Sequence, residues 1–154
     1  YLDVETVDFS VNELGKPYHK EIAGKQTVNF NISHSGEFIL EGFAVGMDIG
    51  VDVQEMAGCP DYREIAGNFY TAEEAEDVIN EGPELFFQYW AAKEAYVKAI
   101  GIGLGRGMDF FSVRNGEITE KGRKGQGWHL YPVKIEGYAA YVAAHKKGDK
   151  SNEL

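Results

Sequence analysis

Extended segments flank a helical middle in this 154-residue chain, and that order limits the folds it can adopt. Short β-branched and aromatic runs within 27–53 predict two or three antiparallel strands, and similar runs within 109–145 predict more. Helical patterns fill the interval between them. Because strands and helices do not alternate, the sequence predicts an α+β fold, with helices covering one face of a mostly antiparallel sheet.

Three helices are predicted in the middle of the chain. The first, over 61–70, is short. Thr71, followed three residues later by Glu74, forms a capping box that marks the start of the second helix. Pro83 suits the first turn of a long third helix, because the N–H that proline lacks would have no intrahelical partner there. The glycine-rich run that begins at Gly101 ends this helix.

The charge balance argues against several kinds of partner. Lys and Arg number 15 and Asp and Glu number 25, which gives a net charge of −10. Binding to nucleic acid or to a membrane is therefore not expected, and any anionic ligand needs a local cationic site. Cys59 is the only cysteine, so no intrachain disulfide can form, and a cytoplasmic location is the simplest interpretation.

The long helix carries the first candidate site. Trp90, Glu94 and Lys98 are spaced by four residues and share one face, with Glu94 placed favourably for an ion pair with Lys98. A solvated salt bridge, contributing roughly 0.3–0.5 kcal/mol, is one interpretation. The alternative is a pair that borders the core, because Trp90 continues the same face, and charged groups near a core are more often functional.

The strand sequence GVDVQ carries the second candidate site. Alternation along a strand places Asp52 and Gln54 on the same face, and their oxygens are hard donors of the kind that Mg²⁺ binds. If Glu94 lies across from this strand, the three form an incomplete cage that a phosphate would finish. The alternative is an ordinary polar strand face.

The sequence NISHS, over 31–35, is predicted to leave a strand and enter a turn. Its hydroxyls, imidazole and turn amides suit a phosphate. A Ser beside a His does not by itself give nucleophile geometry, and no G-x-S-x-G sequence is present. The remaining histidines lack metal-ligand spacing, which argues against structural zinc.

Five segments in a fixed order resemble the Sfp-type 4′-phosphopantetheinyl transferases. They are FNISHSG, GVDVQ, EIAGNFYTAEE, WAAKEAYVKAIGIGL and MDFFSV, and the resemblance extends over roughly 15–113. It implies a pseudo-two-fold α+β fold. It also implies Mg²⁺-dependent transfer of the phosphopantetheine arm of coenzyme A to a serine of an acyl, peptidyl or aryl carrier protein, with release of 3′,5′-ADP.

The same resemblance implies roles for individual residues. Asp52, Gln54 and Glu94 would bind Mg²⁺, and Glu94 would also take the proton of the carrier serine, directly or through water. Lys98 would contact the pyrophosphate and stabilise the leaving phosphate, with Lys93 assisting. Further contacts to coenzyme A would come from Lys16, Pro17, Ser33 and His34.

Two departures from the family pattern qualify these roles. Gln54 stands where many relatives have Glu, so Mg²⁺ is expected to bind weakly before the pyrophosphate arrives. Few residues precede the Gly-Lys-Pro segment at 15–17, where relatives have most of a first lobe. We therefore expect 1–45 to be the remainder of a first lobe, 46–146 a second lobe and 147–154 a polar tail, with self-association as one way to complete the first lobe.

Two other functions are compatible with the same residues. The chain could bind coenzyme A or a nucleotide without turnover. It could also be a metal-dependent phosphoesterase built on Asp52 and Glu94, although nothing in the sequence marks an activated water.

Overall fold

A computed structural model describes residues 9–11, 17–19, 28–103, 107–125 and 127–146. The first part of the described chain is extended, the middle is helical and the last part is extended again. The elements are β1 (Phe9–Val11), β2 (Pro17–His19), β3 (Val28–Ser35), β4 (Phe38–Val45), β5 (Met47–Glu55), α1 (Tyr62–Phe69), α2 (Ala72–Glu81), α3 (Pro83–Ile100), β6 (Phe111–Ser112), β7 (Thr119–Glu120), β8 (Arg123–Lys124), β9 (Trp128–Pro132) and β10 (Tyr138–Lys146).

The described strands form four antiparallel sheets. One has the order β5-β10-β9, another has the order β6-β7-β8, and the hairpins β1-β2 and β3-β4 are two-stranded. Helix α3 packs on β5 and β10, and the core lies between this helix and the sheet. The predicted α+β class, with helices on mostly antiparallel sheets, is confirmed.

Helix α3 approaches β5 closely because Gly50 has no side chain. A Cβ atom at this position would lie 2.1 Å from the Ala95 carbonyl oxygen and 2.3 Å from the Ala99 amide nitrogen. Since both of those atoms belong to the helix backbone, they have little room to move away. The contact brings the C-terminal half of α3 directly over the strand that carries Asp52.

We expect Gly50→Ala to lower the free energy of unfolding by about 1–3 kcal/mol, because the added methyl group forces α3 away from β5. Urea denaturation of both forms measures the change. Gly58→Ala is the matched control, since a Cβ atom there would meet nothing within 4 Å. Equal stability of the two variants would contradict the close contact.

Strand β3 binds β5 through side chains. The amides of Val51, Val53 and Glu55 donate to side-chain oxygens of Asn31, Ser33 and Ser35, over 2.8, 3.4 and 2.9 Å. These polar side chains take the place of a neighbouring strand along that edge of β5. The sequence NISHS therefore fixes where the β3-β4 hairpin sits relative to Asp52.

The opposite face of the β3-β4 hairpin exposes several large apolar side chains, and His34 and Glu41 lie among them. Ile39 and Phe43 are 69% and 64% exposed, and Ile32 and Val45 lie beside them on the same face. Exposed apolar side chains gathered on one face mark interaction sites more often than scattered ones do. None of the helices in the described part of the chain has the length and apolar character needed to cross a bilayer.

Candidate active site

Asp52 lies at the centre of the candidate site, on the buried part of β5. Its side chain is almost fully buried, and both of its oxygens are engaged. Oδ1 accepts hydrogen bonds from Lys98 Nζ at 2.6 Å and from Ser33 Oγ at 2.8 Å. Oδ2 accepts one from Gln54 Nε2 at 2.9 Å. Three elements, β3, β5 and α3, thus meet at one carboxylate.

Helix α3 contributes Glu94 and Lys98, one turn apart. Lys98 pairs with Asp52 instead of Glu94, and it also donates to Ser33 Oγ over 3.0 Å. Glu94 is only 5% exposed, and no described residue donates a hydrogen bond to its carboxylate or pairs with it. The interpretation of Glu94 and Lys98 as a solvated salt bridge is therefore wrong, and the pair borders the core.

The environment of Glu94 raises the pKa of its carboxyl group to about 7. Burial is the main cause and the negative charge of Asp52 adds to it, while the ammonium group of Lys98 acts in the opposite direction. A carboxyl group that titrates near neutrality is suited to accept a proton at physiological pH. Perturbed carboxyl groups of this kind are concentrated at functional sites.

The raised pKa of Glu94 has a consequence for stability. The folded chain holds this proton more tightly than the unfolded chain, so the contribution of Glu94 is fully present below about pH 4.5 and is lost as pH rises through about 7. Without divalent metal, wild type is expected to lose stability relative to Glu94→Gln over this interval. Chemical denaturation of both proteins at pH 5 and pH 8 measures the difference, and a constant difference would contradict the prediction.

Ser33 and His34 do not form a joint phosphate site at a turn. Strand β3 continues to Ser35, so the two side chains lie on opposite faces, with Ser33 buried and His34 exposed. Ser33 belongs to the cluster around Asp52. The prediction of a turn at NISHS is wrong by two residues, because the chain reverses only at Gly36 and Glu37, where Gly36 has a φ of 53°.

The structure corrects the predicted contact between Lys93 and coenzyme A. Its ammonium group is completely buried, 2.7 Å from Glu74 Oε2, and it donates to the carbonyls of Met108 and Phe111 over 2.8 and 2.6 Å. These partners use all three of its protons. Burial lowers the pKa of Lys93, although the charge of Glu74 opposes that change. The prediction that Lys93 assists Lys98 is therefore wrong.

Glu74 has more contacts than the capping box predicted from sequence. The box itself is confirmed, with Thr71 and Glu74 bonded reciprocally. Glu74 also pairs with Lys93 and accepts a hydrogen bond from the amide of Val113 at 2.7 Å. The sequence signal that could have found this pair is position: Glu74 lies one turn before the buried Val78, on the inner face of α2.

The remaining predicted ligands are placed only in part. Gln54 donates a hydrogen bond from its amide nitrogen to Asp52. In this arrangement the amide oxygen of Gln54 therefore does not join the Asp52 carboxylate as a candidate metal ligand. Lys16 lies outside the described residues. Pro17 begins β2, but its side chain is outside the described part of the chain.

The two carboxylates of this site are of the kind that can hold a divalent metal ion. No cluster of three or more His, Cys, Asp or Glu side chains suited to a metal occurs among the described residues. Asp52 and Glu94 are nevertheless two buried carboxylates that influence each other, and Glu94 has no donor among the described residues. Mg²⁺ commonly binds to one or two carboxylates and completes its shell with waters and substrate phosphates.

Comparison with known sequences identifies the family. The sequence profile of the 4′-phosphopantetheinyl transferase superfamily matches residues 48–144, which include Asp52, Glu94 and Lys98. The chain belongs to this superfamily. This confirms the resemblance drawn from the five sequence segments.

Individual relatives agree with that assignment. The chain is 36% identical over 117 residues to a 4′-phosphopantetheinyl transferase of Bacillus subtilis, covering 73% of this chain and 50% of the relative. It is 26% identical over 161 residues to L-aminoadipate-semialdehyde dehydrogenase-phosphopantetheinyl transferase of Rattus norvegicus, covering 86% and 52%. The chain thus spans about half the length of the curated relatives it matches. The holo-[acyl-carrier-protein] synthase of Thermotoga maritima superposes with a TM-score of 0.48 at 19% identity, over 65% of this chain and 63% of that one.

Proposed function

We propose that this chain transfers the 4′-phosphopantetheine arm of coenzyme A to a serine of an acyl, peptidyl or aryl carrier protein, and that it requires Mg²⁺. The observation that carries the proposal is the meeting of Asp52, Glu94 and Lys98 at one buried position between β5 and α3. Two carboxylates and one ammonium group are the parts that transfer of a phosphoryl group to a hydroxyl needs.

Each of these residues has a distinct part in the proposed reaction. Glu94 accepts the proton of the carrier serine, directly or through water, as the serine oxygen attacks phosphorus. The bond from that phosphorus to the 3′,5′-ADP oxygen breaks, and 3′,5′-ADP leaves. Lys98 contacts the pyrophosphate and stabilises the negative charge that collects on the leaving group.

Asp52 and Glu94 would hold the metal, with Gln54 contributing its oxygen if its amide turns over. Bound Mg²⁺ would neutralise the pyrophosphate charge and orient it. Ser33 supports this arrangement by fixing Asp52 with a hydrogen bond. Lys16, Pro17 and His34 remain proposed contacts for the nucleotide end of coenzyme A.

Incubation with coenzyme A, Mg²⁺ and an apo carrier protein tests the proposal. Mass spectrometry of the carrier should show addition of the phosphopantetheine arm, and addition of EDTA should prevent it. If coenzyme A binds but several apo carriers never gain mass, the chain is a binding module without turnover. Release of inorganic phosphate from simple esters would instead indicate a phosphoesterase.

Gln54→Glu is expected to lower the Mg²⁺ concentration that gives half-maximal transfer. A carboxylate at this position removes the hydrogen bond from the amide nitrogen to Asp52 and adds a negatively charged oxygen ligand. The matched control is Gln88→Glu, which makes the same chemical change on α3, nearer the start of the helix than Glu94 and Lys98. An unchanged Mg²⁺ requirement in Gln54→Glu would exclude Gln54 from the metal site.

Location and assembly complete the proposal. The single cysteine supports a reducing, cytoplasmic setting. Self-association through the exposed Ile39 and Phe43 face of the β3-β4 hairpin would place a second chain against this hairpin, which belongs to 1–45, the proposed remainder of a first lobe. Sedimentation velocity tests this part. If the face is an interface, the Phe43→Ser variant should have a lower apparent mass than wild type.

A further inference from the structure

The substrate-free site has an unequal distribution of partners. Asp52 carries three donors, from Lys98, Ser33 and Gln54, on its two oxygens. Glu94, one turn from Lys98 on the same helix, receives no hydrogen bond or ion pair from any described residue. The Asp52 carboxylate, which a metal ion would have to bind, is therefore already neutralised by the ammonium group of Lys98.

Of these groups, Lys98 has the freedom to leave. Its side chain is 29% exposed, whereas that of Asp52 is 2% exposed. Asp52 sits on a strand paired with β10 along one edge and bonded to β3 side chains along the other. The flexible four-carbon stem of a lysine allows its ammonium group to swing, so a change at this site falls on Lys98.

We infer that the Lys98 ammonium group and a divalent cation compete for Asp52, so that metal binds weakly until a pyrophosphate draws Lys98 away. The inference rests on the proposed function for the identity of the pyrophosphate. The two positive charges repel each other at a single carboxylate oxygen. An anionic diphosphate provides a new partner for Lys98 and removes its positive charge from Asp52 Oδ1, which keeps only the neutral Ser33 donor and can then bind the metal.

The order of binding follows from this competition. Metal and coenzyme A should each bind more tightly in the presence of the other, because each ligand removes an unfavourable contribution to the binding free energy of the other. Removal of the Lys98 charge should uncouple them. Metal would then bind to the empty enzyme without waiting for the diphosphate.

Binding of Mn²⁺ to the protein alone, without coenzyme A, tests the competition. Electron paramagnetic resonance of free Mn²⁺ gives the affinity directly and does not depend on activity. Lys98→Met keeps most of the side-chain stem and removes the charge, and it is expected to bind Mn²⁺ about tenfold more tightly than wild type, the ratio that corresponds to about 1.4 kcal/mol. Lys134→Met, which removes the same charge from an exposed position in the turn between β9 and β10, should bind like wild type.

Two further measurements complete the test. Lys98→Arg keeps the positive charge and should bind Mn²⁺ as weakly as wild type. Added coenzyme A should tighten Mn²⁺ binding in wild type by a larger factor than in Lys98→Met. Equal Mn²⁺ affinity of wild type and Lys98→Met, or tightening in Lys98→Arg as large as in Lys98→Met, would overturn the inference. Failure of the proposed function is a separate result, because it is read from the absence of mass on a carrier, whereas the Mn²⁺ affinities of wild type, Lys98→Met and Lys98→Arg on their own are measured without coenzyme A or carrier.

Discussion

Glu94→Gln should slow phosphopantetheine transfer by at least about 10³-fold, because one substitution removes both a proton acceptor and a proposed metal ligand. Loss of a general base alone typically costs about 10²–10⁴-fold. Glutamine has the shape of glutamate, so packing against β5 is preserved while the negative charge is lost. The measurement is the rate at which an apo carrier gains mass at saturating coenzyme A and Mg²⁺.

The control for this prediction lies on the same helix. Glu84→Gln makes an identical chemical change at an exposed position in the first turn of α3, and transfer should continue at close to the wild-type rate. A wild-type rate in Glu94→Gln would refute both proposed roles of Glu94. Loss of transfer in both variants would point to an indirect effect of charge on carrier binding.

Periodicity predicts which residues share a face, and that part of the site could be found from the sequence. Alternation along β5 and the four-residue spacing along α3 singled out Asp52, Glu94 and Lys98. The partner of Lys98 could not be found in this way, because its bond to Asp52 joins residues 46 apart in the chain. A tertiary contact that Gly50 makes possible outweighs the local pair with Glu94, which is worth only a few tenths of a kcal/mol on an isolated helix.

The errors in the sequence prediction have a common physical cause. The sequence pattern predicts solvent-facing or ligand-facing positions for polar residues, but Ser33 and Lys93 satisfy buried backbone and carboxylate groups of the chain itself. Buried polar groups require such partners, and the partners come from segments that are distant in sequence. Sequence alone offers no spacing rule for these partners, so a lysine within a largely apolar helix is compatible with either a ligand contact or a buried structural contact.

Lys93→Met should lower the free energy of unfolding by about 3–5 kcal/mol, because it leaves the Glu74 carboxylate buried without a counter-charge. Both members of this pair are completely buried, and Lys93 also joins α3 to the carbonyls of Met108 and Phe111. Urea denaturation at pH 7 gives the value. Lys124→Met, which breaks an ion pair with Glu117 that is largely exposed, should change stability by less than about 1 kcal/mol.

A double variant separates the buried charge from lost packing. Glu74→Gln keeps an oxygen for the amide of Val113 and removes the negative charge. If the unpaired carboxylate causes the loss, Lys93→Met combined with Glu74→Gln will be more stable than Lys93→Met alone, a gain that simple addition of two destabilising changes forbids. The Michaelis constant for coenzyme A should also stay unchanged in whatever fraction of Lys93→Met folds at low temperature, because Lys93 has no proton left for the substrate. A large rise in that constant would restore Lys93 to the coenzyme A site.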